Sequence, residues 1–331
     1  MKKILALILT LTLVLLIGCT KIPDKTVPQG NQPGVTDETP TQRYTVKIAG
    51  LMGPTGMGMA HMFKSDDNLN DYDYEISSDP SELGPKVLKG ELDMAAVPTN
   101  VAATIYNKSE GKIKVVALNT LSVLYILEQG EKINKITDLK GRTVYCSGQG
   151  ATPEYILSYL CTANGLKVGK DVKFNFTYNN HADLAKFAVA NKPYCCMLPE
   201  PNVTAVLAKN NKMRVALDLG RVWEETVKDD SKIVMGCVIV NTAFAEKNKE
   251  AVENFLKDYK SSVEKVNAQE IVDLSIIPSV EIAEKAIPRC NIVCITGENM
   301  KEKSMGFFKV LYEANPASVG GKLPDDEFFY N

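Results

Sequence analysis

Charge imbalance is missing from this chain. Its 331 residues hold 38 lysines and arginines against 40 aspartates and glutamates, a net charge of −2. No strong basic surface is left over for nucleic acid. Histidine is nearly absent, at His61 and His181 only. The eight cysteines include no paired C-x-x-C, which speaks against structural zinc. No apolar stretch reaches the roughly 20 residues that a membrane-spanning helix requires. A nucleophile, a base and an orienting group at a recognisable spacing are lacking too, so the chain is expected not to be an enzyme. The same reading expects no cofactor and no metal.

What is present starts with the N-terminus. Lys2 and Lys3 precede a mostly apolar stretch, Ile4 to Ile17, of signal-peptide h-region length. Leu16-Ile17-Gly18-Cys19 resembles the box at which bacterial lipoproteins are processed. It predicts a signal peptide over 1–18 and a diacylglyceryl anchor on Cys19, durable because two acyl chains hold where one does not. From Thr20 to Gln42 the chain is rich in Pro, Thr, Gln and Asp, so 19–42 is expected to be a disordered tether. Without Lys2 and Lys3, 36 basic residues face 40 acidic ones. The globular part, from Arg43 on, exceeds the size at which one core keeps growing, which predicts two lobes. Seven cysteines remain in it, an odd number, most among apolar neighbours where a thiol packs as a small hydrophobe.

Short β-rich runs alternate with helical patterns, the signature of parallel sheets with helices on both faces. Strands are expected at Tyr44 to Ala49, Met94 to Val97, Lys114 to Asn119, Thr143 to Cys146, Lys173 to Tyr178, Cys195 to Leu198, Arg214 to Asp218 and Val234 to Asn241. One internal echo says more. "VLKGELDMAAVP" and "AVANKPYCCMLP" each run from a helix through a turn into a four-residue apolar strand stopped by proline. Aligned on Pro98 and Pro199, Cys195 and Cys196 fall where Met94 and Ala95 fall, as strand core. The chain therefore builds similar βα halves twice.

The first βα turn of each half is rich in glycine: Gly53-Pro54-Thr55-Gly56-Met57-Gly58, and Ser147-Gly148-Gln149-Gly150-Ala151-Thr152 before Pro153. Glycine permits sharp turns and close approach, and Thr152 before proline reads as an N-cap. Free N–H groups at such helix starts favour an anionic or accepting group. With a helix from about Thr55, Met59, Met62 and Phe63 recur at i, i+3 and i+4, a stripe that packs against a core rather than a copper site. Met57, still in the turn, is free to meet a ligand.

"GPTGMGMAHMF", "GELDMAAVPTNVAATIYNK", "ITDLKGRTVY", "MLPEPNVTAVLAKN", "AIPRCNIVCITG" and "NPASVGGKLPDDEFFY" make the chain, from Tyr44 to Tyr330, resemble the extracytoplasmic substrate-binding lipoproteins of ABC importers. The branch is the one for sulfonates, nitrate and thiamine precursors. The resemblance implies an α/β type II periplasmic-binding-protein fold, two lobes that close over a ligand, each a mainly parallel sheet flanked by helices. It implies lobe one at 43–120 and 234–331, and lobe two at 121–233. It also implies a monomer on the outer face of the cell membrane, held there by its lipid and partnered by a small-molecule solute and an importer permease. Because open α/β sheets bind at strand carboxyl ends, the expected ligand-binding residues are Thr55, Gly56, Met57, Thr99, Asn100, Ser122, Ser147, Gly150, Ala151, Thr152, Asn179, Asn180 and Glu200. His181 reads as a solvated loop residue.

Two other classes remain. A ligand-sensing subunit of a membrane receptor would share every feature above. Thiamine-pyrimidine synthases are enzymes similar to this family, but they carry a longer cysteine-rich run than Cys195-Cys196. Glu200, stiffened by Pro199 and Pro201, is the acidic residue among the candidates. Pointing into the cleft it would favour a ligand with an amino group or ring N–H; the alternative is that it caps the following helix.

Overall fold

The computed structural model describes residues 43–190 and 193–331. The expected signal peptide, lipidated Cys19 and tether lie outside the described residues. Eleven strands are described: β1 (Thr45–Leu51), β2 (Asp71–Ser77), β3 (Met94–Pro98), β4 (Ile113–Thr120), β5 (Leu124–Gln129), β6 (Thr143–Cys146), β7 (Lys173–Asn175), β8 (Cys195–Pro199), β9 (Met213–Asp218), β10 (Gly236–Asn241) and β11 (Ile292–Ile295). They form a six-stranded sheet in the order β11-β4-β10-β3-β1-β2 and a five-stranded sheet in the order β7-β6-β8-β5-β9. Helices flank both, giving the expected two-lobed α/β fold.

The two sheets follow one path, as the internal echo implies. β1 pairs in parallel with β2 and β3, and β6 pairs in parallel with β7 and β8. Each sheet has a strand set against parallel-running neighbours on both sides, β10 between β3 and β4, and β5 between β8 and β9. These are the first strands the chain forms after crossing between sheets. β11 adds an antiparallel edge beside β4.

Why β3 and β8 are unbroken apolar runs follows from their central places. Met94 and Ala96 face one core cluster while Ala95 and Val97 face the other. Likewise Cys196 and Leu198 face away from Cys195 and Met197. A strand covered on both faces has no polar side to show. All seven described cysteines are free thiols, and six are buried. Burial pushes the Cys161 and Cys195 thiols up to about 12, so they stay protonated and pack as hydrophobes.

Three strands escaped sequence reading. β2, Asp-Tyr-Asp-Tyr-Glu-Ile-Ser, is an edge strand with no buried residue, so it needs no apolar pattern. β5 begins three residues past the expected lobe boundary at 121, where no strand was expected, and β11 is a short edge. The helix expected from Thr55 is two short ones, Pro54–Met57 and Ala60–Lys64. Met59 and Met62 are nevertheless buried with Phe255 and Tyr259, which is packing as expected. Met57 joins the same cluster with no exposed surface, so it lies in the core rather than along the turn.

The sheets are joined where their strands end. Residues 121–123 run from β4 to β5, a gap of at most roughly 14 Å between the flanking Cα atoms. The return passes through the helix Leu219–Thr226 and enters β10 at Gly236. The helix Glu298–Ala314 packs on the helix Thr152–Ala163, and its Phe307, Phe308 and Leu311 share a core cluster with both sheets.

Candidate functional site

Register places the strand ends. In the six-stranded sheet Gly236 lies opposite both Pro98 and Thr120, so the ends of β3 and β4 share one edge with the turn after β1. In the other sheet Pro199 lies opposite Leu124, and Cys146 pairs with Met197 two residues earlier. The short connection between β4 and β5 therefore sets the two carboxyl edges against each other, and these edges bound the candidate cleft.

On the first edge Gly53, at φ 87°, turns β1 into its helix. A Cβ on Gly56 would overlap the Leu51 carbonyl oxygen, so only glycine fits. Thr55 stays partly exposed, and its carbonyl accepts from Asn119 Nδ2 at 3.0 Å. Thr99 begins the helix Thr99–Ser109; its N–H donates to the Met235 carbonyl at 3.2 Å. Its hydroxyl is buried beside the Cys237 thiol and has no hydrogen-bond partner. Asn100 follows it, partly exposed.

On the second edge the turn after β6 differs from expectation. Gly148 N–H donates to Asn179 O at 3.0 Å, Gln149 N–H to Asn179 Oδ1 at 2.6 Å, and Gly150 N–H to Glu154 Oε2 at 2.7 Å. The donors expected to await an anion are already used by the protein. The N-cap of the helix Thr152–Ala163 is Ala151, and Thr152 is its first residue. The backbone bends one residue earlier than the proline suggested, because Gly148 and Gly150, both at positive φ, absorb the turn. Asn180 caps the helix His181–Val189, accepting from Ala182 and Asp183 N–H at 2.8 and 3.3 Å. Ser122 sits in the crossover, its carbonyl held by Asn291 Nδ2 at 2.5 Å.

Glu200 lies where expected in the chain and does something else. Its side chain is completely buried and ion-paired with Arg289 Nε. Thr204 donates to it twice, from N–H and from Oγ1, each at 3.0 Å. Arg289 Nη2 completes the set on Thr204 Oγ1 at 2.6 Å. The carboxylate thus caps the helix Asn202–Lys209 and is neutralised, leaving no free charge for an amino group of a ligand.

Ser147 gains a partner that no spacing revealed. Its hydroxyl is 2.7 Å from Nδ1 of His181, a residue that opens a helix rather than floating in a loop. Burial holds the His181 ring below the usual histidine range, so it is neutral. The structure thus brings Thr55, Thr99 and Asn100, with Asn119, to one edge, and Ser147, Thr152 and Asn179, with His181, to the other. Met57, Ser122, Asn180 and Glu200 are committed to the core, the crossover, a cap and an ion pair. Asn119 was legible as a polar residue at the end of an apolar strand; His181 and Arg289 gave no local signal.

Over residues 59–276, well more than half of the chain, the sequence matches the family model described as menaquinone biosynthesis. The chain belongs to that family. The match overturns the expectation that the chain is not an enzyme, because biosynthesis is chemical conversion and this family carries it out. The expected likeness to importer substrate-binding proteins is met in the fold, while the family model matched is that of menaquinone biosynthesis. The solved structures remain those of binding proteins and show a shared fold. A crystal structure of an ABC transporter from Parabacteroides distasonis has a TM-score of 0.70 at 21% identity, over 87% of this chain and 99% of that one. The periplasmic aliphatic sulphonate binding protein SsuA from Escherichia coli has a TM-score of 0.67 at 14% identity, over 87% and 92%. The ligand-binding component of an ABC-type import system from Staphylococcus aureus, solved with zinc, has a TM-score of 0.60 at 14% identity, over 87% and 97%. No curated protein matches this member of the menaquinone-biosynthesis family.

Proposed function

We propose that this chain captures a small molecule between the two carboxyl edges and presents it to an ABC importer permease on the outer face of the membrane. The supporting observation is the pair of matching polar edges, Thr55, Thr99 and Asn119 against Ser147, Thr152 and His181, set together by two crossovers. Lobe one takes 43–120 and 234–331 and lobe two 121–233, and they close on the ligand as a monomer. With Glu200 neutralised by Arg289, the edges offer hydroxyl, amide and imidazole groups, which suit a ligand rich in acceptor oxygens. The binding-protein neighbours share the fold that this reading needs.

The family match favours a second reading, in which the bound molecule is converted in menaquinone biosynthesis. One experiment separates the two. A thermal-shift panel of sulfonates, carboxylates, thiamine precursors and nucleobases is expected to give a hit, since a ligand at a hundred times Kd adds about 2.7 kcal/mol to stability. Mass spectrometry of the hit after incubation then decides: recovery unchanged supports delivery, a new product supports conversion. A panel with no hit counts against a binding cleft.

The anchor belongs to the same proposal. Cys19 carries the diacylglyceryl group and the tether lets the binding part reach its partner. Cys19→Ser is expected to release the protein from membranes with unchanged affinity; a variant that stays membrane-bound counts against lipidation there.

A further inference from the structure

Of the groups on the two edges, His181 is the one whose chemistry the geometry specifies. Ser147 is only 1% exposed, and its hydroxyl has one partner, Nδ1 of His181 at 2.7 Å. Were Nδ1 to carry the proton and donate to the serine oxygen, the serine hydrogen would be buried with nothing to accept it, a loss of about 1–3 kcal/mol. The opposite arrangement satisfies both groups: serine donates, Nδ1 accepts, and the ring proton sits on Nε2. Among the described residues no group bonds that Nε2, and His181 remains partly exposed at the end of β6 and β7. The charged groups on its own helix and on the turn that carries Ser147 are engaged elsewhere: Asp183 with Lys186 at 3.1 Å, and Glu154 with the Gly150 N–H.

We propose that His181 is a ligand-binding residue of the cleft, presenting a fixed Nε2–H donor to an acceptor oxygen of the bound molecule, and that Ser147 is the positioning residue that sets its tautomer. The inference rests on the cleft reading above and deepens it. It names a carboxylate, sulfonate or carbonyl oxygen as the chemistry recognised on this edge. Protonation is opposed twice, by burial of the ring and by the serine hydrogen that an Nδ1 proton would displace.

Two histidines make the test direct. In 15N-histidine-labelled His61→Gln protein, His181 is expected as the Nε2–H tautomer, neutral to below its ordinary value near 6.5. Ser147→Ala is expected to mix the tautomers and raise the titration point, because the neutral ring loses its donor. Methanesulfonate, whose charge is constant with pH, is expected to shift the Nε2 resonance. His181→Phe is expected to weaken its binding roughly 10- to 150-fold, the range of a hydrogen bond to a charged group, with partial rescue by His181→Gln. An Nδ1–H tautomer, or a tautomer unmoved by Ser147→Ala, overturns the inference. So does methanesulfonate that raises the thermal midpoint without touching Nε2, and that result leaves the cleft reading standing. Absence of binding by methanesulfonate and by the whole panel removes the cleft reading and this inference together.

Discussion

Arg289→Met is expected to lower the unfolding free energy by about 3 kcal/mol, near the bottom of the range for breaking a buried ion pair. Its partner, Glu200, has no exposed side-chain surface, whereas the arginine is 30% exposed. Removing the arginine leaves a carboxylate with two Thr204 donors and no counter-charge, and desolvation is the larger part of the loss. The double variant with Glu200→Gln is expected to recover most of it, since an amide still accepts from Thr204 without a charge to bury. Urea denaturation at constant m-value checks both. Equal stability of the Arg289→Met single variant and the native protein sinks the account.

That pair matters beyond stability because of where its members sit. Glu200 follows β8 in the five-stranded sheet, while Arg289 lies three residues before β11 of the six-stranded one. Tyr125 of β5 donates to the Arg289 carbonyl at 2.8 Å, and Asn291 holds the crossover carbonyl of Ser122. One short segment thus fastens both sheets at the junction. Loosening it is expected to raise hydrogen exchange at 121–123 before it is felt in either core.

Gly56→Ala is expected to cost about 3 kcal/mol and to abolish ligand binding. The added methyl would overlap the Leu51 carbonyl oxygen and come within 3.0 and 3.1 Å of the Leu51 carbonyl carbon and nitrogen. Those are backbone atoms of β1, so no rotamer change relieves the contact, and the whole turn carrying Thr55 must move. Gly150→Ala is the control. There φ is 71° and open space surrounds the new methyl, so only backbone strain of about 1 kcal/mol is expected. Thermal melts of the two variants with the panel ligand present and absent separate crowding from conformation; equal losses contradict it.

Expectations for the candidate residues divided by the range of the interaction involved. Thr55, Thr99, Ser147 and Thr152 follow strands whose apolar runs end where the structure ends them, within one or two residues. Met57 did not stay in its turn, because Gly56 lets the helix pass close beneath β1 and Gly58 lets it abut Tyr259 and Ile292, which carries the side chain into the core. Glu200, expected either to point into the cleft or to cap the following helix, drew Arg289, 89 residues away, and Ser147 drew His181, 34 residues away. The search for a catalytic spacing failed for the same reason: side chains that meet across a fold keep no fixed distance in the chain.

The sequence by itself determined the α/β class, eight of the strands and the twofold repetition of the βα path. Burial of both faces of a central strand, or of one face of a helix, writes its period into neighbouring residues. An edge strand such as β2 writes none, because nothing covers it. The partners of Glu200 and Ser147, and with them the charge and proton state of the cleft, were decided only by the tertiary structure. A buried charge or hydroxyl must be satisfied by whichever group the fold brings within about 3 Å, and that group is set by the packing of distant segments.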